Sequence, residues 1–189
     1  MSRGFLLHLL RHGAPKTPGL MIGHTDTAPL QSGIALCSAR ARELELEAVV
    51  SSDLARARLP AETIAAEHRL PYRLDPRWRE LNFGAWEGAV PTSLPPDELA
   101  TFWRNPQTSP PPGGESWDRL CGRVRAALVE VTAPTLVVTH AGAMRAALAV
   151  LLGFDHRQGW SLDLPYGALL SLRVWSGGDG GAQIIGLVT

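Results

Sequence analysis

The sequence predicts an α/β protein: a three-layer α/β/α sandwich around a mostly parallel central sheet, with one antiparallel strand near the end. Three observations predict it. Phe5–Leu10 and Thr135–Thr139 are strand-length runs, apolar or β-branched almost throughout, the pattern of strands covered on both faces. Strand-like runs alternate with helical ones over most of the 189 residues. Only at the end do two strand-like runs, Leu169–Val174 and Gln183–Val188, follow each other with just the glycine-rich Gly177–Gly181 between them.

In chain order, the first strand ends abruptly in Arg11, His12 and Gly13. Ala14–Pro29 is rich in Pro, Gly and Thr and reads as a loop, longer than the usual βα connection of about 2–6 residues. Gln31–Leu46 carries apolar residues at helical spacing, and Ala48–Ser51 is a brief second strand. Asp53–Arg58 leads into a helix reaching His68, with Pro60 expected in its first turn, where a missing N–H costs nothing. Pro71–Leu74 is a short strand. Seven of the fifteen prolines fall between Pro91 and Pro112, around one short helix at Pro96–Arg104. That stretch, about 89–113, reads as a semi-rigid cover over a site, with Phe102 and Trp103 to pack beneath it. Glu115–Val131 is an amphipathic helix, and Thr135–Thr139 ends in His140 directly before a helix at Ala141–Leu152. Residues 1–189 therefore read as a single domain, with no repeat and no internal linker.

Composition narrows the function classes. Lys+Arg 18 balances Asp+Glu 18, so no global field recruits nucleic acid or an anionic membrane, and any anion is held by a local cluster. The longest apolar stretch, Ala146–Phe154, is far short of a membrane span, and no small-residue cleavage site follows the apolar run of Met1–Leu10. A cytoplasmic location is expected. Cys37 and Cys121 read as reduced, packed thiols. No His/Cys/Asp trio has metal-ligand spacing, so neither metal nor cofactor is expected. Oligomeric state leaves no readable pattern, and a homodimer stays open.

Chemistry concentrates at strand ends. Leu10 runs into Arg11-His12 and Thr139 into His140, which places both imidazoles at the carboxyl edge of one sheet, where open α/β sheets bind ligands. Arg56 follows a third strand end near a helix N-terminus, which favours anions. Two guanidinium forks and two imidazoles suit phosphate better than carboxylate, because phosphate offers an oxygen to each. One neutral histidine would attack phosphorus, and the second, if protonated, would cancel charge on the transferred oxygens. An alkoxide leaving group also needs a proton. Glu80, among Trp78, Leu81, Phe83 and Trp86, is the candidate donor, with Glu87 the nearby competitor.

Five ordered blocks then stand out: Leu10-Arg-His-Gly13, Gly23-x-x-Asp26, Ser52-x-Leu-x-Arg56-Ala57, Glu80-x-x-Phe-Gly-x-Trp-Glu-Gly88 and Val138-Thr-His140-Ala-Gly142. Together they resemble the histidine phosphatase (phosphoglycerate mutase-like) superfamily along essentially the whole chain. The resemblance implies His12 as the phosphorylated nucleophile, Arg11, Arg56 and His140 as phosphoryl ligands, and Glu80 as proton donor. An Asn common in the family's first motif is replaced here by Pro18, and the resemblance puts Thr17 or the Gly23 N–H in its place. His24 stands where an Arg is often found, and Ala141 where a glycine is frequent; both would lie on the substrate side. The Phe83-Gly-x-Trp-Glu-Gly88 and Pro111-Pro-Gly-Gly-Glu-Ser116 blocks are similar to the α-ribazole phosphatase branch, which acts late in cobalamin biosynthesis.

The expected activity is thus metal-independent hydrolysis of a small phosphate ester, α-ribazole 5′-phosphate being one candidate. A mutase-like phosphoryl transferase and a non-catalytic phosphate-binding module of the same fold are the alternatives. Trp86, Phe102, Trp103 and Trp160 are free either to stack on a flat base or to serve as core. His8 reads as a packed strand residue, Arg58 and Arg145 as structural or solvated.

Overall fold

The computed structural model describes residues 4–175 and 181–189. The expected glycine-rich connection at 177–180 lies outside them. Six strands form one sheet: β1 (Phe5–Arg11), β2 (Ala48–Ser51), β3 (Tyr72–Leu74), β4 (Thr135–Thr139), β5 (Leu169–Val174) and β6 (Ala182–Val188). Their spatial order is β3-β2-β4-β1-β5-β6. The first four run parallel, while β5 pairs antiparallel with both β1 and β6. Among the described residues six α-helices accompany them: α1 (Gln31–Ala41), α2 (Ala55–His68), α3 (Pro96–Arg104), α4 (Trp117–Leu128), α5 (Ala141–Leu152) and α6 (His156–Trp160).

The period of two along each strand divides the core into two faces. Leu10, Val49, Leu136 and Val138 pack with Cys37 and Ala41 of α1 and Ala57, Ala61 and Ile64 of α2. Leu7, Leu9, Val50 and Val137 turn the other way, onto Leu120 and Val124 of α4 and Ala143 and Met144 of α5. A strand sandwiched in this manner has no solvent face, which is why β1 and β4 have so few polar residues. His8 is buried within β1 and pairs through Nδ1 with Ser171 Oγ at 2.8 Å. Both thiols are unpaired; burial pushes Cys37 up to about 12 and Cys121 to about 11.

Several boundaries differ from expectation for identifiable reasons. α1 stops at Ala41 rather than Leu46, because Glu43, Glu45 and Glu47 follow, and acidic residues oppose the negative C-terminal end of a helix. α2 starts at Ala55, whose N–H is accepted by Asp26 Oδ1 at 2.7 Å. Pro60 therefore lies in the second turn rather than the first, and the Arg56 carbonyl forgoes its helical partner. α4 begins two residues later than expected because Ser116 caps it, accepting from Arg119 N–H at 3.4 Å. α6 was not expected at all; a capping box between Asp155 and Gln158 starts it. No helix among the described residues is long and apolar enough to cross a membrane.

Candidate active site

Strand register brings the site together. Parallel pairing sets Arg11 of β1 opposite Thr139 of β4, so the next residues, His12 and His140, lie side by side. His12 N–H donates to Thr139 O at 2.9 Å, and the two imidazole centroids are 5.0 Å apart, edge to face. On the other flank of β4, Ser52 N–H donates to Val138 O, and Ser52 Oγ meets His140 Nε2 at 2.9 Å. One turn into α2, Arg56 is 1% exposed and lines the same cup. Three neighbouring strand ends thus supply His12, His140 and Arg56.

The tautomer of His12 follows from its neighbour. Nδ1 is 2.7 Å from Gly13 O, a pure acceptor, so Nδ1 carries the proton and Nε2 keeps its lone pair. Burial first, and then the Arg56 charge, push His12 well below the ordinary imidazole value; the same two causes act on His140. Both rings are therefore neutral at pH 7. Instead of a resident imidazolium, Arg11 and Arg56 supply the positive charge around the two rings. His140 Nδ1 is buried without a protein partner. Arg11 lies with its guanidinium carbon 4.1 Å above the Tyr166 ring, donates to Leu164 O, and has a buried Nε without a partner.

These shifts carry a pH dependence with a definite sign. An imidazole can act as a nucleophile only when neutral, and the folded value of His12 lies well below the ordinary 6.5 or so. The acid limb of kcat/KM is accordingly expected well below pH 6.5. Stability moves the same way: below about pH 6.5 the unfolded chain binds protons that buried His8, His12 and His140 and half-buried His24 resist. Stability is thus lost as pH falls from the unfolded value towards the folded ones. A urea midpoint that stays level between pH 7 and pH 5, or an acid limb near 6.5, would contradict these placements.

Glu80 and Glu87 separate cleanly. Glu87 accepts backbone N–H groups from Gly23 (3.1 Å), His24 (2.8 Å), Thr25 (3.1 Å) and Phe83 (3.0 Å), and lines neither the cup nor the chamber beside it. Arg56 meanwhile donates to the carbonyls of Ile22, Gly23 and Thr25 at 3.2, 2.6 and 2.8 Å. An anion holds the amides of this loop and a cation its carbonyls, which sets the cup wall at Met21–Ile22. Glu80 accepts from Leu81 N–H at 2.8 Å and Gly142 N–H at 3.0 Å, and its side chain lines the cup. Gly142 is obligatory for that contact, since a Cβ there would collide with the carboxylate. Arg123 locks the Glu80 segment from behind, donating to the carbonyls of Arg77, Arg79 and Glu80 while paired with Glu115.

Two cavities meet at this point. The cup, about 150 Å³, is lined by His12, Arg11, Arg56, Glu80, Phe83 and Tyr166, among others. A second, about 290 Å³, shares Arg11, Glu80 and Phe83 with it and continues past Ala141 to Arg145 and Trp160. Glu80 therefore belongs to the wall that the two cavities share.

Three expected substrate-side groups lie elsewhere. Thr17 is exposed and lines neither cavity. The Gly23 N–H is spent on Glu87, so it has no donor left for the missing Asn ligand. His24 turns its Nε2 to Glu80 O at 3.1 Å and also stays outside both cavities. For Gly23 and His24 the cause is that Glu87 and Arg56 fold this part of the loop against Glu80's own segment, while Pro15 and Leu20–Ile22 are what the loop gives to the cup. Tyr166 was missed, and Arg145, read as structural or solvated, does tie down Gly159 O and Leu162 O but also lines the second cavity. A signal for Tyr166 was present: an antiparallel β5 must begin at the edge where β1 ends, and Gly167 N–H indeed reaches Arg11 O and His12 O. Among the described residues no three His, Cys, Asp or Glu side chains cluster to hold a metal ion.

Comparisons with known proteins agree on the framework. The profile of the histidine phosphatase superfamily (branch 1) matches residues 7–184. A probable phosphoglycerate mutase of Yersinia pestis is 33% identical over 162 residues, covering 78% of this chain and 74% of that protein. The structure of a mycobacterial glucosyl-3-phosphoglycerate phosphatase superposes with a TM-score of 0.84 at 27% identity, covering 97% of this chain and 98% of the other. A candidate alpha-ribazole-5′-P phosphatase from Escherichia coli, 24% identical, shares the fold with a TM-score of 0.83 over 99% of this chain and 97% of the other.

Proposed function

From the premise that the chain belongs to the histidine phosphatase superfamily (branch 1), we propose that it is a phosphomonoesterase acting through a phosphohistidine on His12. The observation that carries this is the His12 ring: Nδ1–H is anchored to Gly13 O, which leaves the Nε2 lone pair free in a cup walled by two arginines. Nε2 attacks phosphorus, the P–O bond to the alcohol breaks, and the electron pair leaves on that oxygen. Arg11, Arg56 and His140 Nδ1 hold the transferred oxygens as charge redistributes. Glu80, at the junction of the cavities, delivers a proton to the departing alkoxide. It then takes one from the water that attacks phosphorus and breaks the P–N bond, releasing phosphate.

The substrate is a small phosphorylated metabolite. α-Ribazole 5′-phosphate is the first to assay, on the strength of the Phe83–Gly88 and Pro111–Ser116 blocks. The Yersinia relative favours a second reading, mutase-type return of the phosphoryl group to a product. One experiment separates them. A radiolabelled phosphomonoester is mixed with the enzyme in EDTA and quenched on a millisecond scale, and the label on protein is followed with and without acceptor. Transient label that decays to inorganic phosphate without acceptor is expected. Label that persists until phosphoglycerate is added selects the mutase reading, and turnover with no label at all removes the phosphohistidine.

A further inference from the structure

We propose that the chamber beside the cup receives the alcohol half of the substrate, and that this alcohol carries a planar aromatic or heteroaromatic body. The inference rests on the phosphomonoesterase reading above. An ester whose phosphoryl group sits against His12 and whose bridging oxygen faces Glu80 has only the shared wall of Arg11, Glu80 and Phe83 to cross before it enters the chamber. At about 290 Å³ beside a cup of about 150 Å³, the combined space suits a small-molecule site.

The walls select the class. Beyond Phe83 they are made of Phe102, Trp103, Trp117 and Trp160, with Leu81 and Leu120. Phe102 and Trp103 centroids are 4.7 Å apart, Trp103 and Trp160 5.7 Å, and Trp117 and Trp160 5.2 Å, all tilted or edge to face. Such an array offers both ring faces and ring edges to a flat guest. Phe102 and Trp117 are core residues, but Trp103 is 41% exposed, so packing alone does not account for the set.

Polar capacity in the chamber is limited: Arg11, which lines it too, keeps an unpartnered Nε, and most other polar groups there are committed. Arg145 donates from Nε to Gly159 O at 3.1 Å and from Nη2 to Leu162 O at 3.2 Å, and lies 5.2 Å over the Trp160 ring. Both Glu80 oxygens accept backbone N–H groups. A polyhydroxylated alcohol entering here would shed more water than these few donors replace. A flat arene loses nothing of that kind. Arg145 Nη1 remains for one acceptor, such as a ring nitrogen.

The test compares kcat/KM for 1-naphthylmethyl phosphate and glycerol 1-phosphate, both esters of primary alcohols, in wild type, Trp103→Ala and Trp103→Phe. Trp103 is chosen because its exposure spares the core. The naphthyl ester is expected to win by about tenfold or more, Trp103→Ala to shrink that ratio by about three- to tenfold, and Trp103→Phe to keep most of it. In parallel, binding of 1-naphthylmethylphosphonate and methylphosphonate is read by indole fluorescence, which needs no turnover. Equal turnover of both esters, with the two phosphonates bound alike, would overturn the chamber assignment and leave the phosphatase reading intact. Naphthyl phosphonate binding that depends on Trp103, in a protein that hydrolyses no ester, would do the reverse.

Discussion

His12→Ala is expected to lower kcat/KM for every phosphomonoester by about four orders of magnitude or more, and to abolish acid-labile labelling of the protein. The size follows from the lack of a substitute. His140 is the other imidazole in reach, but its Nε2 is engaged with Ser52 Oγ, and its place beside His12 suits it to the transferred oxygens rather than to phosphorus. Residual hydrolysis would require water to attack directly, aided only by the arginines. Because Arg11 and Arg56 remain, the variant should still bind inorganic phosphate or vanadate, a check that the cup has survived. Normal turnover in this variant would end the phosphohistidine mechanism.

For Glu80→Gln the expected effect is graded by leaving group. Alkyl phosphates should slow by about 10²–10⁴-fold, the usual contribution of a positioned general acid, and p-nitrophenyl phosphate by less than about tenfold. A p-nitrophenolate departs without a proton, whereas an alkoxide does not. Glutamine retains an acceptor for the Leu81 or Gly142 N–H, so the loop should stay in place. Equal slowing of both ester types would assign Glu80 to binding or scaffolding. The parallel Glu87→Gln variant should show no leaving-group dependence, because Glu87 acts on the Gly23–Thr25 amides and faces neither cavity.

The catalytic half of the site was legible in sequence because it sits on regular structure. A strand that is apolar almost throughout leaves its first polar residues at the sheet edge, so Arg11-His12 and His140 could be assigned to one rim from their own neighbours. Arg56 was legible as a site member but not for its second task, holding the carbonyls of Ile22, Gly23 and Thr25. The substrate side was misread where it lies on the Ala14–Pro29 loop. Thr17, Gly23 and His24 carry plausible donors, yet a loop's direction depends on long-range partners, here Glu87, some sixty residues away in sequence. Tyr166 belongs to a segment without a local chemical signature and acquires meaning only through the antiparallel return of β5, while the place of Arg145 beside the chamber depends on the packing of α6.

The amino-acid sequence by itself determined the α/β class, the strands and their buried faces, and which polar side chains end those strands, because periodicity and strand termination are local properties. Only the tertiary structure decided which strands are neighbours, and hence that His12 and His140 stand 5.0 Å apart. It also decided that both imidazoles are neutral, that Glu80 rather than Glu87 faces the cup, and that five aromatic side chains from α3, α4, α6 and the Glu80 segment wall one chamber. The physical reason is common to all of these: desolvation, register and cavity shape are set by groups distant in the chain, and no window along it contains both partners.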